Sequence, residues 1–247
     1  MKYLQRLRWK GTLMHLKWYD ILVVTALLFG VYIYHSMSLL FSAAPTSTGQ
    51  ESITSFDFSA TTNYYMIFDQ GKWLLLAMWY LALRRFDFSQ LKIQFRWNVL
   101  VWAVLIFVAT GIACDLFWDA FHQFGALRYL PYYDWSLDSI ARTFGKVPFD
   151  LVLYSLFNGF YEEIFFLGLL FCTKIDRKWL YLFSTLVRIS FHTYQGWLSA
   201  VMIGVVMGTV YYYLYTRKQP NLVPFFLAHA IADMVGVGFL GIFYPVG

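Results

Sequence analysis

The chain has 247 residues, of which 60% are hydrophobic and 13% charged, about half the charged share of an ordinary soluble domain (roughly 25%). One water-facing globule of this length has no interior large enough for so many apolar side chains, so lipid must solvate much of the surface. The net charge of +5 could suit nucleic acid, but Lys and Arg sit in short stretches between apolar runs rather than along one face, which argues against a nucleic-acid partner and for membrane topology.

Apolar runs near the roughly 20 residues a span requires fall at 21–41, 64–83, 99–117, 147–172, 179–197, 198–215 and 222–243. The first and last are the clearest. The first follows a basic stretch, but its length exceeds a secretory signal core and Ser42, Ala43 and Ala44 run into Pro45, so it reads as a retained anchor. Asp69, Gln70, Gly71 and Lys72 interrupt the second run, with Asp69 and Lys72 spaced as an i,i+3 ion pair. The fifth and sixth nearly touch at Thr193, Tyr194, Gln195 and Gly196, which predicts a tight turn. Cys114 and Cys172 lie in different apolar runs with no CxxC or Cys/His cluster, so neither a disulfide framework nor a zinc finger is expected. The fold expected is all-α: a polytopic transmembrane helical bundle of about seven spans. Residues 1–146 read as an N-terminal membrane region of three spans and a long outer loop, and 147–243 as a four-span core.

Seven spans imply a sidedness. Residues 1–20 and loops 84–98, 173–178 and 216–221 together hold 14 Lys and Arg, against 3 in loop 118–146. The positive-inside rule then predicts an N-in, C-out chain, with the basic residues among 2–17 on anionic lipid headgroups. Short basic loops and a compact chain point to a bacterial plasma membrane.

An ionisable group at mid-membrane costs at least roughly 2.5–3.5 kcal/mol and marks a candidate functional site. The fourth run carries Asn158, Glu162 and Glu163, the fifth Arg188 and His192, and the seventh His229 and Asp233. Asn158/Glu162, Arg188/His192 and His229/Asp233 are i,i+4 pairs, so each projects from one helix face. At about 1.5 Å per residue all three helices present these groups in one slab, roughly 11–20 Å above the inner end. A carboxylate beside an imidazole can hold and deprotonate a water, and a second imidazole with a polar neighbour can bond a developing oxyanion. Peptide hydrolysis fits such a set. The same Glu162 with His192 and His229 could instead hold a divalent metal such as zinc, an alternative that spacing leaves open.

These residues resemble the CAAX-protease and bacteriocin-processing family of membrane peptidases, also called Abi proteins. Its motifs are Glu-Glu-x-x-x-Arg, Phe-x-x-x-His and His-x-x-x-Asn/Asp. Glu162 and Glu163 match the start of the first, His192 the end of the second, and His229 with Asp233 the third. Leu167 stands where the family has Arg, and Arg188 where it has Phe, so Arg188 is expected to supply the missing positive charge to the Glu pair. The resemblance covers about 147–243. It implies an endopeptidase acting on peptides or membrane-protein tails in the bilayer, with Glu162 as water-activating base, His192 its partner, His229 and Asp233 on the oxyanion side, and Glu163 beside them; Asn158 and Arg188 are expected in support from their own positions, not from the resemblance. The mechanism preferred is glutamate-dependent and needs no cofactor. HExxH, Gly-x-Ser and Gly-x-Gly-Asp signatures are absent.

Other readings compete. The midplane carboxylates could serve a proton-coupled transporter or a non-catalytic scaffold or immunity protein, although their concentration in the second half is unlike the paired halves of many transporters. Asn158 suits a helix–helix hydrogen bond, and Gly204 with Gly208 close helix packing. His35, His122 and Asp115 need no special role. Sidedness is testable with single thiols in a cysteine-free background: Lys92→Cys should react only with reagent on the cytoplasmic side, and Arg142→Cys only from outside.

Overall fold

The computed structural model describes residues 11–42, 59–121 and 126–244. The basic residues Lys2, Arg6, Arg8 and Lys10, the Ala43–Pro45 stretch and His122 lie outside the described residues. Within them the chain is helical and forms no strand. The helices are α1 (Trp18–Ser42), α2 (Ala60–Leu83), α3 (Val99–Ala120), α4 (Leu137–Gly145), α5 (Phe149–Glu163), α6 (Arg177–His192), α7 (Trp197–Val201), α8 (Gly208–Arg217) and α9 (Val223–Val235). A π-helical stretch (Ile164–Leu169) and a 3-10 turn (Leu170–Cys172) prolong α5, and a second π-helical stretch (Met202–Met207) joins α7 to α8.

Four segments are long and apolar enough to cross a membrane: Trp18–Phe41, Val99–Ala120, Phe149–Cys172 and Trp197–Arg217. The protein is an integral membrane protein by this measure, and its outer faces agree, since Leu100, Val101, Val104, Leu105, Ile112 and Leu116 form an exposed apolar face on α3. Phe149–Cys172 is the central element, with 78% of its most apolar stretch buried against 33% for Trp18–Phe41. Three of the expected spans differ from this standard. α2 is long enough but carries buried Asn63, Asp69 and Gln70, α6 has 16 residues, and α9 has 13.

The last run, 222–243, is therefore not one helix. α9 stops at Gly236, whose φ of 96° leaves the helical region, and a 3-10 turn covers Leu240–Phe243. Asp115 on α3 explains the fold-back, because its carboxylate accepts the Leu240 N–H at 2.9 Å. A Cβ at Gly111 would strike Phe239, and one at Gly238 would strike Asp115. The turn expected between the fifth and sixth runs is present: α6 ends at His192, a 3-10 turn spans Thr193–Gln195, and Gly196 has a φ of 90°.

Both ends of the bundle are tied by polar bonds. At one end Leu13 N–H donates to Arg85 C=O at 2.9 Å, Leu16 N–H to Cys172 C=O at 2.8 Å, and Leu222 N–H to Lys92 C=O at 2.8 Å. This brings segment 11–17 together with the loops after α2, Cys172 and α8, the stretches grouped by charge. Asp20, wholly buried, caps α1 through Lys17 N–H and takes Arg84 Nε at 2.8 Å and Tyr80 OH at 2.7 Å. At the other end Ser36 on α1 receives Tyr194 N–H at 2.8 Å and donates to Phe191 C=O at 3.0 Å. Asp69 pairs with Lys72 at 2.5 Å and also accepts Tyr32 OH.

Close approach between α5 and α9 depends on Gly159, where a Cβ would collide with the Phe226 carbonyl oxygen. Gly204 likewise sits against Ile189 and Thr185 of α6. A collision with backbone cannot be relieved by a rotamer change, so overpacking at Gly159 costs about 1–3 kcal/mol. Gly159→Ala should lower the thermal midpoint of the detergent-solubilised protein. Gly30→Ala, on a helix position with open space around the added carbon, should leave it unchanged or raise it.

Candidate active site

Three helices meet beneath the turn at Thr193–Gln195. α5 ends in Glu162 and Glu163, α6 carries Arg188 and His192 in its last turns, and α9 carries His229 and Asp233. Directly after the Glu pair the backbone widens into the π-helical Ile164–Leu169, a conformation that recurs at functional sites. All six of its residues are buried.

The two glutamates differ in their partners. Glu163 is fully engaged: Arg188 Nη2 donates to Oε2 at 2.7 Å and His229 Nδ1 lies 2.9 Å from Oε1. Both members of the Arg188–Glu163 pair are inaccessible, at 1% and 0% side-chain exposure. Arg188 also stacks on Phe166, with its guanidinium carbon 3.9 Å from the ring centroid, an arrangement that stabilises a buried cation. Glu162 is buried as well, but its Oε2 has no protein hydrogen-bond donor, the nearest cation being Arg188 Nη1 at 3.9 Å. Its Oε1 accepts Asn158 Nδ2 at 3.3 Å and lies 3.9 Å from His229 Nε2.

The bond to Glu163 fixes the ring of His229, so that Nε2 faces Glu162 and, at 3.6 Å, Asp233. Asp233 is the most accessible of the three acids, at 22% side-chain exposure, and accepts Asn158 Nδ2 at 2.9 Å. His192 holds the Arg188 carbonyl through Nδ1 at 2.8 Å. A carbonyl only accepts, so Nδ1 carries the proton there and Nε2 of a neutral ring is left as an acceptor. Asn158, expected as a helix–helix bonder, bridges Glu162 and Asp233 and takes Gln70 Nε2 at 2.7 Å on its Oδ1.

Of the groups expected in one slab, Asn158, Glu162, Glu163, Arg188, His229 and Asp233 are linked by direct contacts, and His192 joins them through the Arg188 carbonyl. Atoms of Glu162, Glu163 and His229 lie within 4.8 Å of one another, whereas His192, named above as a second metal-binding imidazole, is not in that group. Both Glu163 oxygens are taken, the His229 Nδ1 bond to Glu163 leaves Nε2 open as a ligand atom, and a guanidinium faces Glu162. A dication would have to sit against that fixed positive charge. Two contributors escaped the sequence reading: Gln70 was visible only as an interruption in an apolar run, and the π-helical stretch leaves no compositional trace.

Residues 144–235 match the family described as type II CAAX prenyl endopeptidase, Rce1-like. The match shows the resemblance to the CAAX-protease family over this stretch, which contains every motif residue named above and leaves residues 1–143 outside it. No curated protein and no solved structure matches the chain. The departures from the family motifs fall together in space, since Leu167 and Arg188 line one small cavity with Phe166 and Gly208.

Removing one member of a buried ion pair strands the other and costs about 3–5 kcal/mol. Arg188→Leu should therefore lower the thermal midpoint sharply. Adding Glu163→Gln to that variant, which removes the stranded charge, should recover part of the loss in the same unfolding measurement.

Proposed function

We propose that the protein is an intramembrane endopeptidase in which Glu162 activates the attacking water. The contrast between the two adjacent carboxylates carries this reading: Glu163 has both oxygens bonded, while Oε2 of the buried Glu162 has no protein donor. A saturated carboxylate is a fixture, whereas one with a free oxygen beside an imidazole can take a proton from water.

In the proposed cycle Glu162 Oε2 and the Nε2 acceptor of His192 hold the water. Its proton passes to Glu162 as its oxygen bonds to the scissile carbonyl carbon. The oxyanion is met by His229 Nε2–H when that ring carries both protons, with Glu163 fixing the ring through Nδ1 and Asp233 and Asn158 completing the polar wall. Collapse breaks the C–N bond, and the proton held by Glu162 passes to the leaving amine. Arg188 keeps Glu163 charged and in place. No metal takes part in this cycle, in line with the guanidinium beside the carboxylates. The substrate is a peptide or membrane-protein segment presented within the bilayer, and the matched family's name makes a prenylated C-terminal peptide the first to try. The charge distribution supports N-in insertion and a bacterial plasma membrane.

The test compares peptide termini, by mass spectrometry, in membranes holding wild type or Glu162→Ala at equal levels. New termini that depend on Glu162 are expected. With the purified chain in nanodiscs, Glu162→Gln should slow cleavage of such a peptide about 10²–10⁴-fold, and 1,10-phenanthroline should leave wild-type cleavage unchanged. Identical termini with a folded variant would instead favour a transport or scaffold role.

A further inference from the structure

Asn158 sits between two carboxylates, and that position decides which way its side-chain amide must face. Carboxylates accept hydrogen bonds and do not donate them. Nδ2 must therefore point to Glu162 Oε1 (3.3 Å) and Asp233 Oδ2 (2.9 Å), which turns Oδ1 the other way. Oδ1 is met by Gln70 Nε2 at 2.7 Å. Gln70 is buried on α2, in the half of the chain that lies outside the family match. No protein donor bonds its Oε1, so its bond to Asn158 orients the Gln70 amide.

We infer that Gln70 is a positioning residue of the active site: it locks the Asn158 amide in the one orientation that bonds Glu162 and Asp233 together. Without a donor at position 70, the buried Oδ1 loses its partner, and the amide can rotate towards another donor at the expense of its Nδ2 bonds. That rotation loosens both acids. Glu162 then loses the only donor that bonds its Oε1 among the described residues, and Asp233 the bond that holds it beside His229. Gln70 lies one residue from Asp69, whose carboxylate is separately occupied by Tyr32 and Lys72. The polar interruption of α2 thus has two divided tasks, one anchoring α1 and one reaching the site.

The kinetic part of this inference rests on the peptidase reading, and the spectroscopic part stands without it. Asn158 is one of four asparagines in the chain, so selective ¹⁵N-asparagine labelling of the full protein in nanodiscs resolves its side-chain NH₂, assigned by the loss of one signal pair in Asn158→Leu. Slow hydrogen exchange at that NH₂ is expected in wild type and rapid exchange in Gln70→Leu. In cleavage of a peptide identified through Glu162-dependent termini, Gln70→Leu should lower kcat about tenfold with KM within about twofold, the pattern of lost transition-state geometry. Gln70→Glu, equal in size but lacking the donor when ionised, should be at least as impaired. In an Asn158→Leu background, Gln70→Leu should add nothing, because both substitutions break the same connection. An unchanged exchange rate in Gln70→Leu would overturn the inference. So would additive losses in the double variant, or a change confined to KM. Absence of any Glu162-dependent cleavage would sink the peptidase reading while the exchange measurement still judged Gln70.

Discussion

A carboxylate enclosed by protein within a bilayer has no water to solvate it, and Glu163 satisfies that requirement with two bonds from two different helices. Arg188 reaches it from α6 and His229 from α9. Most of the local packing follows from bringing these three groups together. Gly159 lets α9 approach α5 closely enough for the His229 bond, while Gly204 lets the chain near α8 lie against α6. Phe166 stacks beneath the guanidinium, and Phe29 of α1 packs on Phe165, Phe166 and Phe191 around it. A buried pair of this kind contributes little net stability once desolvation is counted. What it supplies here is registry, by fixing the rotation of three helices about their own axes.

That registry leaves Glu162 in an unusual position. It adjoins Glu163 in sequence and shares the same cation, yet one of its oxygens is bonded by no protein group. The π-helical stretch that follows alters the rotation per residue, so Ile164–Leu169 can all be buried while both acids face α6 and α9. The protein thereby places two carboxylates on consecutive residues and gives them different surroundings, one with both oxygens bonded and one with an oxygen that no protein donor reaches.

The first half of the chain carries none of the family motifs and still bears on the site. α1 supplies Phe29 to the wall and Ser36 to the turn that ends α6. α3 supplies Asp115, which bends the segment after α9 back onto the bundle. α2 supplies Gln70. Each is a polar or aromatic residue within an apolar run, and in lipid such residues have to find partners inside the protein.

Composition pointed to lipid as the solvent for much of the surface, because 60% hydrophobic residues in 247 exceed what one water-facing globule can bury, and apolar runs near spanning length pointed to helices. Helical spacing also singled out these polar residues: Asn158/Glu162, Arg188/His192 and His229/Asp233 each occupy one face, and equal depth led to the expectation that the faces meet. These signals are local, set by the rise and twist of a single helix. The extent of the last span was not local. Its apolar run continues to residue 243, but the helix stops at Gly236 because Asp115, more than a hundred residues earlier, offers Leu240 an acceptor. The same holds for the partner of each acid. Spacing could not tell which imidazole would reach the glutamates, nor that Gln70 was anything more than an interruption. Those pairings depend on how helices distant in sequence rotate against one another, and only the packed bundle determines that.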